Sequence, residues 1–210
     1  MLQHCLVQGF NCFRSVSFSN WIEVIKLVAA AVAFWFGLRQ YTRSQVWKRL
    51  EFLSVEMKNF FADHAVREAM LMLDWRKKRM ALFKYREEND FEQVEINYDI
   101  VAAALDVDPK QHYDKVHSAI REVFERFLEY LARFEGFLDA GVIEPADLNP
   151  FIDYWMKLIS GNDTHSPEVT KKVLPNLWRF IDFYGYRDVR RLVSRYHRVT
   201  FAELSEDEFV

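Results

Sequence analysis

The sequence predicts a mainly α-helical protein: an N-terminal transmembrane helix running into an amphipathic stalk, then an antiparallel helical bundle with room for one small β-hairpin. Three observations predict it. Residues 21–41, WIEVIKLVAAAVAFWFGLRQY, are written for lipid rather than water. Downstream, apolar residues recur at helical spacing through long stretches. Glycine and proline number only 6 and 5, which favours long helices over a turn-rich β fold. The chain divides accordingly into a tail (1–18), the transmembrane helix (19–41), the stalk (42–62), a helical domain (63–200) and an acidic C-terminal tail (201–210).

The uninterrupted apolar core, Leu27 to Leu38, covers about 12 residues, or roughly 18 Å of helix, against roughly 30 Å of hydrocarbon. Extending it back through Ile22, Val24 and Ile25 and forward to Tyr41 reaches about 20 residues, the length of a span. That extension brings Glu23 and Lys26 inside, three apart on one helical face and near one end, where charge costs least. Each of Leu27, Val28, Val32, Phe34, Phe36 and Leu38 contributes about −0.3 to −0.6 kcal/mol to insertion, while a central charge costs about +2.5 to +3.5. Insertion is therefore favourable with the charges at the periphery. Trp21 and Tyr41 are residue types that favour the two membrane interfaces.

Three other readings compete. A buried core helix of this length occurs in soluble proteins. A cleaved signal peptide fits less well, because the small-residue triplet Ala31-Val32-Ala33 lies within the apolar run and not after it. An interfacial helix would need a charged face that the run lacks. The flanks set orientation: Arg39, Arg43, Lys48 and Arg49 follow the segment, and only Arg14 precedes it. The positive-inside tendency then puts the C-terminal domain in the cytoplasm of an inner (plasma) membrane and the N-terminus outside.

Residues 1–18 show no periodicity, and Ser19 or Asn20 is the expected cap of the anchor helix. No breaker follows Tyr41: Val46, Leu50, Leu53, Met57, Phe60 and Phe61 continue at helical spacing as a stalk. Asp63 can cap a helix, AVREAMLML, that ends near Trp75. Arg76 to Arg79 form a basic cluster, and the alternation Val94 to Tyr98 reads as a short strand, with Glu88-Asn89-Asp90 a candidate hairpin turn. Asp99 can cap a short helix, IVAAAL.

The clearest helix spans about Gln111 to Ala140. Val116, Ile120, Val123, Phe124, Phe127, Leu131, Phe134 and Leu138 trace one face, with Arg121, Glu122, Glu125, Arg126 and Glu129 mostly elsewhere. Gly141 is placed to terminate it. Pro145 starts the next helix, with Leu148, Phe151, Ile152, Trp155, Leu158 and Ile159, and Gly161-Asn162-Asp163 end it. Ser166-Pro167-Glu168 open another, interrupted or restarted at Pro175, bearing Leu177, Trp178, Ile181 and Phe183 and stopping at Gly185. The last helix runs from about Asp188 to His197.

The net charge of −3 gives no general affinity for nucleic acid, so any such binding needs a local patch. Cys5 and Cys12 both lie in the tail and could pair outside the cell; the main domain has no cysteine. Six histidines are scattered, and His112 and His117 are five apart, which is not the spacing that puts two ligands on one helical face. No metal site, cofactor motif, phosphate loop or nucleophile motif is legible.

Two basic features remain. Arg39, Arg43, Lys48 and Arg49 lie where they would meet anionic headgroups. Arg187, Arg191, Arg195 and Arg198 recur at three to four residues, with Arg190 close by, as a contact for a protein partner or an anion. The competing reading of that face is internal pairing with acidic neighbours, including Glu203, Glu206, Asp207 and Glu208.

The stretches WKRLEFLSVEMKNFF, VREAMLMLDW, FERFLEYLARFEGFLDAGVI and LWRFIDFYGY, about a quarter of the chain, carry a general resemblance. The chain resembles uncharacterised bacterial membrane proteins of the domain-of-unknown-function kind, with one N-terminal span and a helical cytoplasmic domain. The resemblance implies that architecture and brings no activity or catalytic residue. The resulting expectation is a non-enzymatic, membrane-tethered interaction or scaffold module whose partners are the bilayer and a protein or second copy. The alternative is a membrane-anchored sensor or effector that binds a nucleotide or nucleic acid through the basic last helix.

Overall fold

A computed structural model describes residues 18–80, 93–107, 113–163 and 167–199, with side chains from residue 21 onward. The described residues form eight helices and one two-stranded sheet: α1 (Phe18–Ala62), α2 (His64–Asp74), β1 (Lys77–Met80), β2 (Val94–Asn97), α3 (Tyr98–Ala104), α4 (Lys115–Asp139), α5 (Pro145–Ile159), α6 (Pro167–Lys172), α7 (Leu174–Phe183) and α8 (Arg187–Tyr196). The mainly helical class with one small hairpin is what the sequence predicts. The chain separates into two compact units, residues 1–48 and 49–210.

In the first unit, α1 runs through the apolar stretch without a break, and residues 21–48 are exposed throughout. Ser19 and Asn20 lie inside this helix and not at its start. The proposed pairing of Cys5 with Cys12 and both chain tails lie outside the described residues.

The second unit is organised around α4. Its face of Ile120, Val123, Phe124, Phe127, Leu128, Leu131 and Phe134 is buried as the spacing requires. Against that face lie α2, α3 and α8, together with the last turns of α1. Phe60 there meets Tyr130 and Phe134 edge to face, at 5.6 and 5.3 Å between ring centres. Phe52 packs in the same way on Phe137 at 4.9 Å.

Local chemistry sets the helix ends. The Asp63 carboxylate accepts from the Ala65 amide at 3.0 Å, as its capping role predicts. The Asp114 carboxylate accepts from the His117 amide at 2.8 Å, so α4 begins later than Gln111. That hydrogen bond holds the Asp114 carboxyl below its ordinary range. Gly141, at φ 67°, follows the last residues of α4 in the left-handed region where only glycine is free of strain. Asn97, and not Asp99, caps α3: its side chain accepts from the Ile100 amide at 3.0 Å, and Asp99 sits in the first turn. The helix expected after Ser166 does restart, ending at Lys172 and resuming at Leu174.

The hairpin uses the basic cluster itself as its first strand. β1 pairs antiparallel with β2 in the register Lys78 to Ile96, Arg79 to Glu95 and Met80 to Val94. Met80 and Ile96 turn to the buried side, while Arg79 and Glu95 oppose each other outside and Lys77 reaches Glu95 at 2.7 Å. The expected turn at Glu88-Asn89-Asp90 lies outside the described residues. Two aromatics expected on the apolar faces are exposed, Phe151 and Phe183, while on α5 Leu148, Ile152, Met156, Leu158 and Ile159 are buried.

Candidate functional site

Two features merit a functional reading: the apolar length of α1 and the arginine-bearing α8. α1 is the one helix among the described residues that is long and apolar enough to cross a membrane, and none of its most apolar stretch is buried. Trp21, Ile22, Val24, Ile25, Leu27, Val28, Phe34, Trp35, Phe36 and Leu38 are all exposed. At 100° per residue these side chains surround the helix, so no single contact face could bury them all.

Beyond Leu38 the surface becomes basic. Arg39, Arg43 and Lys48 are exposed. Arg49 differs: its guanidinium meets the Glu144 carboxylate, and its Nε lies 2.8 Å from Asp147 Oδ2. Both acids belong to the start of α5, where the Glu144 amide donates to Asp147 Oδ2 at 2.9 Å. Arg49 thus ties the stalk part of α1 to the first turn of α5.

On α8, Val189, Leu192 and Val193 are buried and the arginines fan out to either side. Arg190 donates to both oxygens of Asp182 on α7, at 2.5 and 2.7 Å, and lies over the Trp178 ring at 5.3 Å. Arg195 makes a forked pair with Glu135 on α4, Nε to Oε2 and Nη2 to Oε1 both at 2.8 Å, and reaches Asp139 at 2.5 Å. Arg191 reaches Asp139 at 2.8 Å and Asp188 at 2.6 Å. Glu135 is wholly buried, so its charge depends on these guanidinium groups. Reciprocally, hydrogen bonds to Glu135 and to Asp188 raise the Arg195 and Arg191 guanidinium pKa values. Arg187 and Arg198 are exposed, and neither has an ion-pair partner among the described residues. Three of the five arginines expected to contact a partner or anion therefore dock α8 onto α4 and α7.

Sequence reasoning placed Arg121 off the core face of α4, but it is buried. Its guanidinium lies over the Tyr113 and Phe180 rings, at 4.2 and 4.8 Å. It donates to the Ala104 and Asp106 carbonyls at 2.8 and 2.9 Å and to the Tyr184 hydroxyl at 2.6 Å. It therefore satisfies carbonyls left open at the end of α3. Its place one residue after Ile120, between aromatic-rich segments, was the only signal in the sequence. Tyr154 on α5 is similarly structural: its hydroxyl donates to Asp74 at the end of α2, and burial followed by that bond raises its pKa. Among the described residues, no group of three or more His, Cys, Asp or Glu side chains is arranged to hold a metal ion.

No protein-family model matches the chain, and neither the curated proteins nor the solved structures include a significant match to it.

Proposed function

We propose that the protein is a membrane-tethered helical interaction module without catalytic chemistry of its own. The observation that carries this reading is the unburied apolar stretch of α1: at least ten large apolar side chains surround a helix that nothing among the described residues covers. Leaving such an array in water is costly, at about 25 cal/mol for each Å² of apolar surface. A bilayer removes that cost, and a helix satisfies its own backbone there.

Arg39, Arg43 and Lys48 supply the positive-inside bias, which sets the C-terminal domain on the cytoplasmic face and the N-terminus outside. The tether confines the domain to one membrane surface. Exposed Trp75, Phe151, Tyr154 and Phe183 give that domain apolar contact area for a protein partner or a second copy. The alternative, an anion-binding effector acting through α8, is disfavoured because Arg190, Arg191 and Arg195 are already engaged by Asp182, Asp139 and Glu135.

Fractionation of cells expressing the full chain tests the tether. The protein is expected in the membrane pellet and to remain there after alkaline carbonate washing, whereas a variant lacking residues 19–41 is expected in the soluble fraction. Release of the full chain by carbonate would overturn the proposal.

A further inference from the structure

Within the first unit, α1 carries a second feature beyond its apolar stretch. Arg39, Arg43, Val46 and Trp47 fall within an arc of about 100° on the helix. All four are exposed, and Trp47, at 75%, is the most exposed large apolar side chain described. Neither arginine has an ion-pair partner among the described residues. Lys48 points to the other side of the helix, well outside this arc. Between Glu23 and Glu51 the sequence has no carboxylate at all, so the only charges on these roughly two and a half turns of helix are positive.

Depth along the helix adds an independent constraint. Trp21 to Tyr41 spans about 30 Å, the thickness of the hydrocarbon, and Trp47 lies about 9 Å beyond Tyr41, where one headgroup layer is roughly 5–7 Å deep. Tyr41 then marks the edge of the hydrocarbon, and the Trp47 side chain, which tilts back toward the helix N-terminus, reaches the outer part of the headgroup layer. Tryptophan and arginine are the residue types that settle there, the ring among glycerol and carbonyl groups and the guanidinium on phosphate.

We infer that Arg39, Arg43, Val46 and Trp47 form a one-sided headgroup-binding face that takes anionic phospholipid. This rests on the reading of α1 as a membrane anchor and deepens it: the membrane-bound part of the helix ends near Trp47 and not at Tyr41. Val46 and Trp47 wedge between headgroups while the two arginines pair with phosphate oxygens.

The test uses the full chain with Cys5→Ser and Cys12→Ser, reconstituted in vesicles of phosphatidylcholine with or without phosphatidylglycerol. A nitroxide is attached at Val46→Cys, or at Phe34→Cys within the anchor, and its collision rates with oxygen, which enters lipid, and with a nickel chelate, which stays in water, are compared. At position 34 oxygen is expected to dominate. At position 46 the ratio is expected to shift toward oxygen relative to the free label in buffer, and further when phosphatidylglycerol is present. Arg39→Gln with Arg43→Gln should abolish the phosphatidylglycerol-dependent part, and Trp47→Ala should move the label toward water. A water-like label at 46 beside a lipid-like one at 34 overturns the headgroup face and leaves the anchor standing. Water-like labels at both positions overturn the anchor itself. A shift unaffected by phosphatidylglycerol or by the two arginine substitutions overturns the anionic recognition.

Discussion

Removing Arg195 should destabilise the domain more than neutralising its partner Glu135. The two ends of this pair differ in surroundings: Glu135 is 0% exposed, whereas the Arg195 side chain is 37% exposed and also contacts Asp139. Arg195→Met strips the buried carboxylate of its forked donor and leaves it Arg191, whose Nε is 3.9 Å away. Breaking a buried pair in this way costs about 3–5 kcal/mol, and the residual attraction of Arg191 places the expected loss near the lower figure. Glu135→Gln retains an acceptor for the guanidinium, which stays hydrated and paired with Asp139, so about 1 kcal/mol is expected. Glu135→Leu, similar in volume and apolar, should lie near Glu135→Gln. Urea unfolding of the full chain in detergent micelles, followed by tryptophan fluorescence, gives these differences from midpoints at constant m. Equal losses for Glu135→Gln and Arg195→Met would refute the asymmetry, and if both fell within about 0.5 kcal/mol of the parent, α8 would not be docked through Glu135. Its arginines would then be available to an external anion.

Three further outcomes are expected. Phe127 is fully buried, 6.2 Å from Phe60 between ring centres, and Phe127→Ala should cost about 3–5 kcal/mol in the same unfolding assay. Gly141→Ala should cost about 1 kcal/mol, all of it backbone strain, because φ is 67° and an added Cβ meets nothing within 4 Å. On the alkaline side, burial pushes the Tyr196 phenol up to about 12, and its hydroxyl donates to the Pro145 carbonyl at 2.9 Å. The fold thus prefers the protonated phenol. Its contribution is complete below the ordinary value of 10.0 and is lost as pH rises through about 12. Unfolding midpoints measured from pH 9 upward should fall, and Tyr196→Phe should flatten that fall.

Elements whose signals were local were legible in the sequence. The α4 face, the Asp63 cap, the Gly141 stop and the Pro145 start each follow from residues within one or two helical turns, and the structure has them all. What the sequence hid was long-range. The strand β1 is a run of cations with no alternation of its own; Met80 and the cross-strand pairing with Glu95 make it a strand. Arg49 and Arg195 read as surface cations because their acids lie 95 and 60 residues away in the chain. Arg121 reads as a polar interruption until Tyr113, Phe180 and Tyr184 converge on it from separate segments. Periodicity assigns a residue to a face, but it does not say what faces it across the core.

The central claim is that α1 spans a membrane with the helical domain on the cytoplasmic side. Its most direct test fuses a cytoplasm-active reporter, and separately one active only outside, to the C-terminus of the full chain and measures each in fractionated cells. Signal from the cytoplasmic reporter alone, in the membrane fraction, is the predicted result. Signal from the external reporter would reverse the topology, and a soluble fusion would show that the exposed apolar face of α1 is covered by protein and not by lipid.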